Sequence, residues 1–244
     1  MQVNRLIKTT ESGIPGFDEL TSTEEFSGGI PLNRTTLIYG PPKTGKTIFA
    51  NQFTYNGLLN KRPCLYITAD QGIKQLQNYM MEFNWYLQSY IEDGSIYIID
   101  GISQLSGAKL EDTINYKTTT IGNPADMMVK VGIGSRYVYR KCPEFRSVLD
   151  SATTLFAFNQ EQMVLRVLNA YIRRNNEAGG AGLMTYTEGS TSKNTEQQLL
   201  ALFDNLIRLD GDTITIKSDY NEAETPDNFK SNYTINENGL EVNH

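Results

Sequence analysis

The run Gly40-Pro41-Pro42-Lys43-Thr44-Gly45-Lys46-Thr47 sets two glycines, a lysine and a hydroxyl at the spacing G-x-x-x-x-G-K-[ST]. Glycine lets a backbone turn tightly and come close to an anion. A lysine beside it meets β- and γ-phosphates, and a threonine hydroxyl is a hard oxygen ligand for Mg²⁺. Gly40, Lys43, Thr44, Gly45, Lys46, Thr47 and Ile48 are therefore the candidate set for holding a nucleoside triphosphate, with Thr47 facing the metal. Such a site needs a carboxylate at the end of a neighbouring strand, to orient water on the ion. Asp150, closing the apolar run Phe145-Arg146-Ser147-Val148-Leu149, is the first candidate, and Asp100, closing an equally apolar run, competes with it. Histidine chemistry is excluded because the only histidine is His244, and Cys64 and Cys142 lack metal or redox spacing.

The elements that position these residues follow from apolar periodicity and punctuation. A short buried strand is predicted over 35–39 and a helix over 46–59, so the glycine-rich loop joins a strand to a helix N-terminus. Free N–H groups and the helix dipole favour phosphate there. Further strands are predicted over 64–68, 95–99, 146–149, 182–186 and 205–209. Helices are predicted over 73–83, from Asn123-Pro124 onward, from about 159 to the stop at Gly179-Gly180, and over 195–203. Alternating strands and helices imply an α/β fold, a mostly parallel sheet covered on both faces. Three short alternating runs, 213–217, 232–235 and 240–242, are expected as antiparallel strands at one edge. Residues 12–20 read as turn-rich with one helical turn, 27–31 as a second turn, and 103–120 as a polar loop of mixed charge, with Ser106, Lys109 and Lys117 among its members. No repeat or linker divides the chain, so one domain over 1–244 is expected.

Composition narrows the partners. With 22 basic and 28 acidic residues the net charge is −6, which gives no basic footprint for nucleic acid, although a local patch can sit inside an acidic total. No run of about 18 apolar residues exists to span a membrane, and residues 1–6 lack the apolar core of a secretory signal. A cytoplasmic location is expected.

Taken together, Gly13-Ile14-Pro15-Gly16-Phe17-Asp18-Glu19-Leu20, Gly28-Gly29-Ile30-Pro31 and the glycine-rich loop resemble the KaiC-like branch of the RecA superfamily of ATPases. Asp93-Gly94, Asn123-Pro124, Leu149-Asp150-Ser151 and Phe203-Asp204-Asn205-Leu206-Ile207 continue the likeness in the family's order. The resemblance implies a RecA-like core, ATP with Mg²⁺ as ligand, and a homo-oligomeric ring or filament with nucleotide at subunit boundaries. Two departures matter. Family members that hydrolyse ATP carry an acidic pair after the strand that follows the phosphate-binding helix; here the place reads Asp70-Gln71, the candidate catalytic residues. The family's lysine and arginine finger near the C-terminus is reduced to Lys217, followed by Ser218-Asp219-Tyr220. Lys43 also stands where glycine is common. The resemblance thus implies an ATP-dependent regulatory or assembly switch with slow hydrolysis and a possible protein partner. The alternative is a recombinase paralogue related to RadA and acting on DNA, which the charge does not support.

Overall fold

The computed structural model describes residues 8–23, 26–105, 107, 110–218 and 228–243. Residues 1–6, Ser106, Lys109, Asp219, Tyr220 and His244, which entered the sequence reading, lie outside the described residues. In chain order the elements begin with β1 (Thr9–Thr10), α1 (Phe17–Leu20), β2 (Ser22–Thr23), β3 (Phe26–Ser27), β4 (Ile30–Pro31), β5 (Arg34–Gly40), α2 (Lys46–Leu59) and β6 (Cys64–Thr68). Next come α3 (Ile73–Met81), α4 (Gln88–Glu92), β7 (Ile96–Asp100), β8 (Tyr116–Thr118), α5 (Pro124–Lys141), β9 (Arg146–Asp150) and α6 (Ala152–Phe158). The chain continues through α7 (Glu161–Glu177), β10 (Ala181–Thr187), α8 (Lys193–Leu200), β11 (Asn205–Leu209), β12 (Thr213–Ser218), β13 (Asn228–Asn236) and β14 (Gly239–Asn243).

Ten strands form one sheet in the order β14-β13-β12-β11-β5-β10-β9-β6-β7-β8. Every pairing from β11 to β8 is parallel, and β12, β13 and β14 add antiparallel to that edge. The architecture is the expected α/β one. Inner strands buried at every position, such as β6, β7 and β9, need apolar cover on both faces. One face packs Phe49, Phe53, Leu58 and Leu76 of α2 and α3 against Ile38, Tyr66 and Ile98. The other packs Met127, Val131, Leu155, Leu168 and Leu199 of α5 to α8 against Leu65, Leu149 and Met184.

Helix starts follow capping chemistry. The Asn123 side chain accepts from Asp126 N at 3.2 Å, and Pro124 occupies the first helical position, where a missing N–H costs nothing. Ser192 caps α8 by accepting from Thr195 N, so that helix spans Lys193–Leu200 rather than the predicted 195–203. The polar loop predicted over 103–120 contains a strand, β8, held by Tyr116 donating to Asp100 at 3.1 Å and by Asp112 accepting from Thr118 N at 2.8 Å. The second turn predicted over 27–31 is divided between the ends of two strand pairs, β2 with β3 and β1 with β4.

Candidate functional site

Gly40 ends β5 with φ 144°, and a Cβ there would lie 1.9 Å from the Leu209 carbonyl oxygen. Gly45 has φ 92°, and its Cβ would meet Ile235 Cδ1 at 2.6 Å. Both positions need glycine for conformation and for room. Lys43 is also left-handed, at φ 64°, a backbone state that costs an L-residue about 1 kcal/mol or more. Between them the loop is braced: Thr44 Oγ1 donates to the Pro41 carbonyl at 3.0 Å, and Tyr233 of β13 donates its hydroxyl to the Thr44 carbonyl at 2.7 Å.

Lys46 opens α2, and its ammonium donates to the Gly40 carbonyl at 3.1 Å and to the Pro41 carbonyl. Burial pulls it below the usual lysine range, opposed first by the Asp150 carboxylate. Thr47 donates its hydroxyl to Asp150 Oδ1 at 3.2 Å, and Thr185 of β10 donates to the same oxygen. Asp150 is buried, and its carboxyl is pushed up to about 6. Burial is the main cause and the nearby Asp70 charge the next, while Thr185, Thr47 and Lys46 pull the other way.

Asp70 accepts from Ser151 Oγ at 2.8 Å on Oδ1 and 2.9 Å on Oδ2, and from Thr154. The result is a cleft of about 390 Å³ whose lining includes Lys43, Thr44, Gly45, Lys46, Thr47, Ile48, Asp70 and Asp150. Gly40 shapes the loop behind this lining. Gln71 is not among the lining residues; its backbone carbonyl accepts from the Thr68 hydroxyl. Asp100 is turned away into a web of its own donors, described below. Sequence reasoning missed Ser151, Thr185 and Ile235, which also line the cleft. Thr185 was legible in principle as the polar residue within Gly182-Leu183-Met184-Thr185-Tyr186, one place beyond the Met184 to Leu149 pairing that brings β10 alongside Asp150.

The donor set fits a magnesium-bound triphosphate. Two carboxylates and a hydroxyl gather in a cleft lined, among the described residues, by the cations Lys43 and Lys46, so a divalent ion would offset the paired Asp70 and Asp150 charges there. Among the described residues no group of three or more His, Cys, Asp or Glu could hold a metal unaided. Mg²⁺ takes one or two protein ligands and completes its shell with phosphate and water, so it does not depend on such a group.

Comparison with known proteins gives this geometry a lineage. The family model described as "ATPase: KaiC" matches residues 10–220. A UPF0273 protein of Thermotoga maritima is 32% identical over 151 residues, 62% of this chain and 58% of the relative. A UPF0273 protein of Pyrococcus furiosus is 30% identical over 151 residues, 62% of this chain and 57% of the relative. The circadian clock oscillator protein KaiC of Thermosynechococcus vestitus is 28% identical over 181 residues, 73% of this chain but only 32% of that protein. The matches thus span little more than half the length of the first two relatives and about a third of the last. The crystal structure of a KaiC-like protein from Pyrococcus horikoshii superposes with a TM-score of 0.70 at 23% identity, covering 98% of this chain and 100% of the other. No helix among the described residues is long and apolar enough to cross a membrane. A family model that takes in most of the chain, together with a shared fold from end to end, places this protein in the KaiC-like ATPase family of the RecA superfamily.

Proposed function

We propose that the chain works as one domain over 1–244 that binds ATP with Mg²⁺ at this cleft, hydrolyses it slowly, and uses nucleotide occupancy as a regulatory or assembly switch. The observation that carries the reading is the convergence of Lys46, Thr47 and Asp150, with Thr47 and Asp150 joined by a hydrogen bond 103 residues apart in sequence. Lys46, released from the loop carbonyls, supplies the ammonium for the β- and γ-phosphates. Thr47 and Asp150 hold the metal, which when bound neutralises phosphate charge.

Slow turnover rests on three features of the chain itself. Asp70, the carboxylate placed to receive a proton from water, already accepts hydroxyls from Ser151 and Thr154. Gln71 has no carboxylate to assist it. Lys217 is the single cation of the strand where the family carries a finger pair, and loss of such a finger can cost on the order of 10³-fold in rate. The switch and its ring or filament, with nucleotide at subunit boundaries, are supported by family membership; a partner protein would read the assembled state.

Calorimetry with ATP and Mg²⁺, steady-state turnover, and light scattering with and without nucleotide test the reading together. Binding is expected to be lost in Lys46→Ala with the circular dichroism spectrum unchanged, turnover is expected below ~1 s⁻¹, and mass is expected to rise with Mg²⁺-ATP. Unchanged affinity in Lys46→Ala would remove the cleft from consideration. Fast turnover would remove the switch.

A further inference from the structure

Half of the chain's ten arginines sit on two helices: Arg136 and Arg140 on α5, and Arg166, Arg173 and Arg174 on α7. The described arginines elsewhere are all committed. Arg34 pairs with Asp204 at 3.2 Å, Arg62 with Glu144 at 2.8 Å and Arg208 with Glu188 at 3.0 Å, while buried Arg146 donates to the Glu11 carbonyl at 2.7 Å and to Asn56 at 2.9 Å. Among the described residues, none of the five on α5 and α7 has an acidic partner within ion-pair distance. In a chain with six more acids than bases, leaving five guanidinium groups on one pair of helices unpaired runs against the charge balance.

Arg136, Arg173 and Arg174 line one groove of about 660 Å³ between the two helices, together with Gly132 and Tyr139. Gly132 leaves room for Arg174 to lie against α5, since a Cβ there would stand 2.0 Å from Arg174 Nη1. Glu177 also lines it yet makes no ion pair with either neighbouring arginine. Cations in the last turn of a helix are accounted for by the helix dipole, and that covers Arg140 and Arg174. It does not cover Arg136 or Arg173. Both helices run out toward the starts of β9 and β10, whereas the phosphate-binding loop lies at the carboxyl end of β5, so the groove is remote from that cleft.

We propose that this groove is a second anion site, built for a chain of closely spaced phosphates. A guanidinium presents a planar fork that takes phosphate oxygens two at a time. One carboxylate is satisfied by one fork, whereas three forks in one groove match several anionic groups in succession. A free polyphosphate and a single nucleic-acid strand share this chemistry.

The test is fluorescence anisotropy of the full chain with a labelled single-stranded oligonucleotide of about 15 nucleotides bearing no terminal phosphate, a length chosen to exceed the few contacts three arginines can make. Inorganic tripolyphosphate and polyglutamate serve as competitors. Three phosphate contacts give a log–log salt slope of about −2 for a single strand. Arg173→Ala with Arg174→Ala is expected to bring the slope to about −0.7 and to weaken binding about tenfold or more, as for lost charge-assisted hydrogen bonds. Arg166→Ala, which removes one positive charge from α7 outside the groove, is expected to change affinity less than about twofold. Gly132→Ala, which keeps every charge and displaces Arg174, is expected to fall between. Displacement by tripolyphosphate identifies free polyphosphate as a sufficient ligand; binding it cannot displace identifies the longer strand, and either supports the site. The proposal is overturned if the double variant binds as the parent does, if polyglutamate displaces the strand, or if no binding occurs at low salt.

Discussion

Asp100 and Asp150 close two strands that flank the same neighbour, and both stand in register with Thr68 of β6. Each ends a five-residue strand that is buried at every position. What separates them is the supply of donors. Asp100 accepts from Ile73 N at 2.9 Å, Ile102 N at 3.0 Å, Ser103 N at 2.8 Å, Ser103 Oγ at 2.6 Å and Tyr116 at 3.1 Å. Three of these are backbone amides, one of them at the N-terminus of α3. Asp150 instead accepts two hydroxyls on a single oxygen, faces a second carboxylate, and lines an open cleft. One carboxylate is consumed in holding loops to the sheet. The other faces the cleft, at an energetic cost that a bound cation or a proton would relieve.

The largest expected effect is on the Asp100 side. Asp100→Ala removes the acceptor shared by five hydrogen bonds, four of them buried, and loss of a buried charged acceptor of this kind costs about 4 kcal/mol. Urea denaturation should show a large fall in midpoint at constant slope. A loss under ~1 kcal/mol, or a folded variant that no longer responds to Mg²⁺, would exchange the roles assigned to the two aspartates.

Asp150→Asn should act in the opposite direction. Its carboxyl titrates near 6 in the folded chain against 3.8 for the unperturbed group, so the folded state binds the proton more tightly than the unfolded one. Burial of the charged form therefore destabilises the protein fully above about pH 6, and that penalty vanishes as pH falls below about 4. Asparagine keeps an acceptor for Thr47 and Thr185 and carries no charge. At pH 7.5 without metal or nucleotide the variant is expected to be more stable than the parent by about 3 kcal/mol, from about two pKa units, with the advantage gone at pH 4. The same change should weaken Mg²⁺-dependent nucleotide binding more than metal-free binding. Thermal melts across pH check the first part and calorimetry with and without Mg²⁺ the second. A destabilised or pH-insensitive variant would mean that Asp150 is another structural cap.

That contrast also marks where sequence reading stopped. The glycine-rich loop, its strand and helix, and the two strands that end at Asp100 and Asp150 were all legible, because spacing constrains a phosphate loop and apolar runs mark inner strands. The environment of each aspartate was not, since Tyr116 and Thr185 reach them only through sheet register and Ser103 through the turn after β7. α6 escaped notice because Ala152-Thr153-Thr154-Leu155-Phe156-Ala157-Phe158 is rich in β-branched and aromatic residues of modest helix propensity, and burial of Ala152, Leu155 and Phe156 fixes it. β8 is three residues in a polar run, and it exists because β7 offers an edge and Asp100 and Asp112 offer acceptors. Gln71 illustrates the limit at the site: its position in the chain suggested catalysis, and the turn after β6 leaves it outside the cleft lining while Asp70 lies within.

The smallest effects give the sharpest separation, because one hydroxyl can be removed from each aspartate with almost no change in shape. Tyr116→Phe takes one of five donors from Asp100, and Thr185→Val takes one of two from Asp150 Oδ1. Losing a hydrogen bond to a buried charged acceptor costs about 1.5 kcal/mol, and Tyr116→Phe should show roughly that loss with nucleotide affinity unchanged, since Asp100 keeps four donors and touches no ligand. Thr185→Val should cost less, about 1 kcal/mol, because an Asp150 carboxyl that already titrates near 6 can take up a proton when a donor is withdrawn. It should nevertheless weaken Mg²⁺-dependent nucleotide binding several-fold, since the oxygen left to Thr47 alone is free to turn and a metal ligand needs a fixed orientation. Chemical denaturation and calorimetry on the two variants in parallel read both axes. If Tyr116→Phe lowers affinity, or Thr185→Val lowers stability alone, the division between a structural and a ligand-facing strand end does not hold.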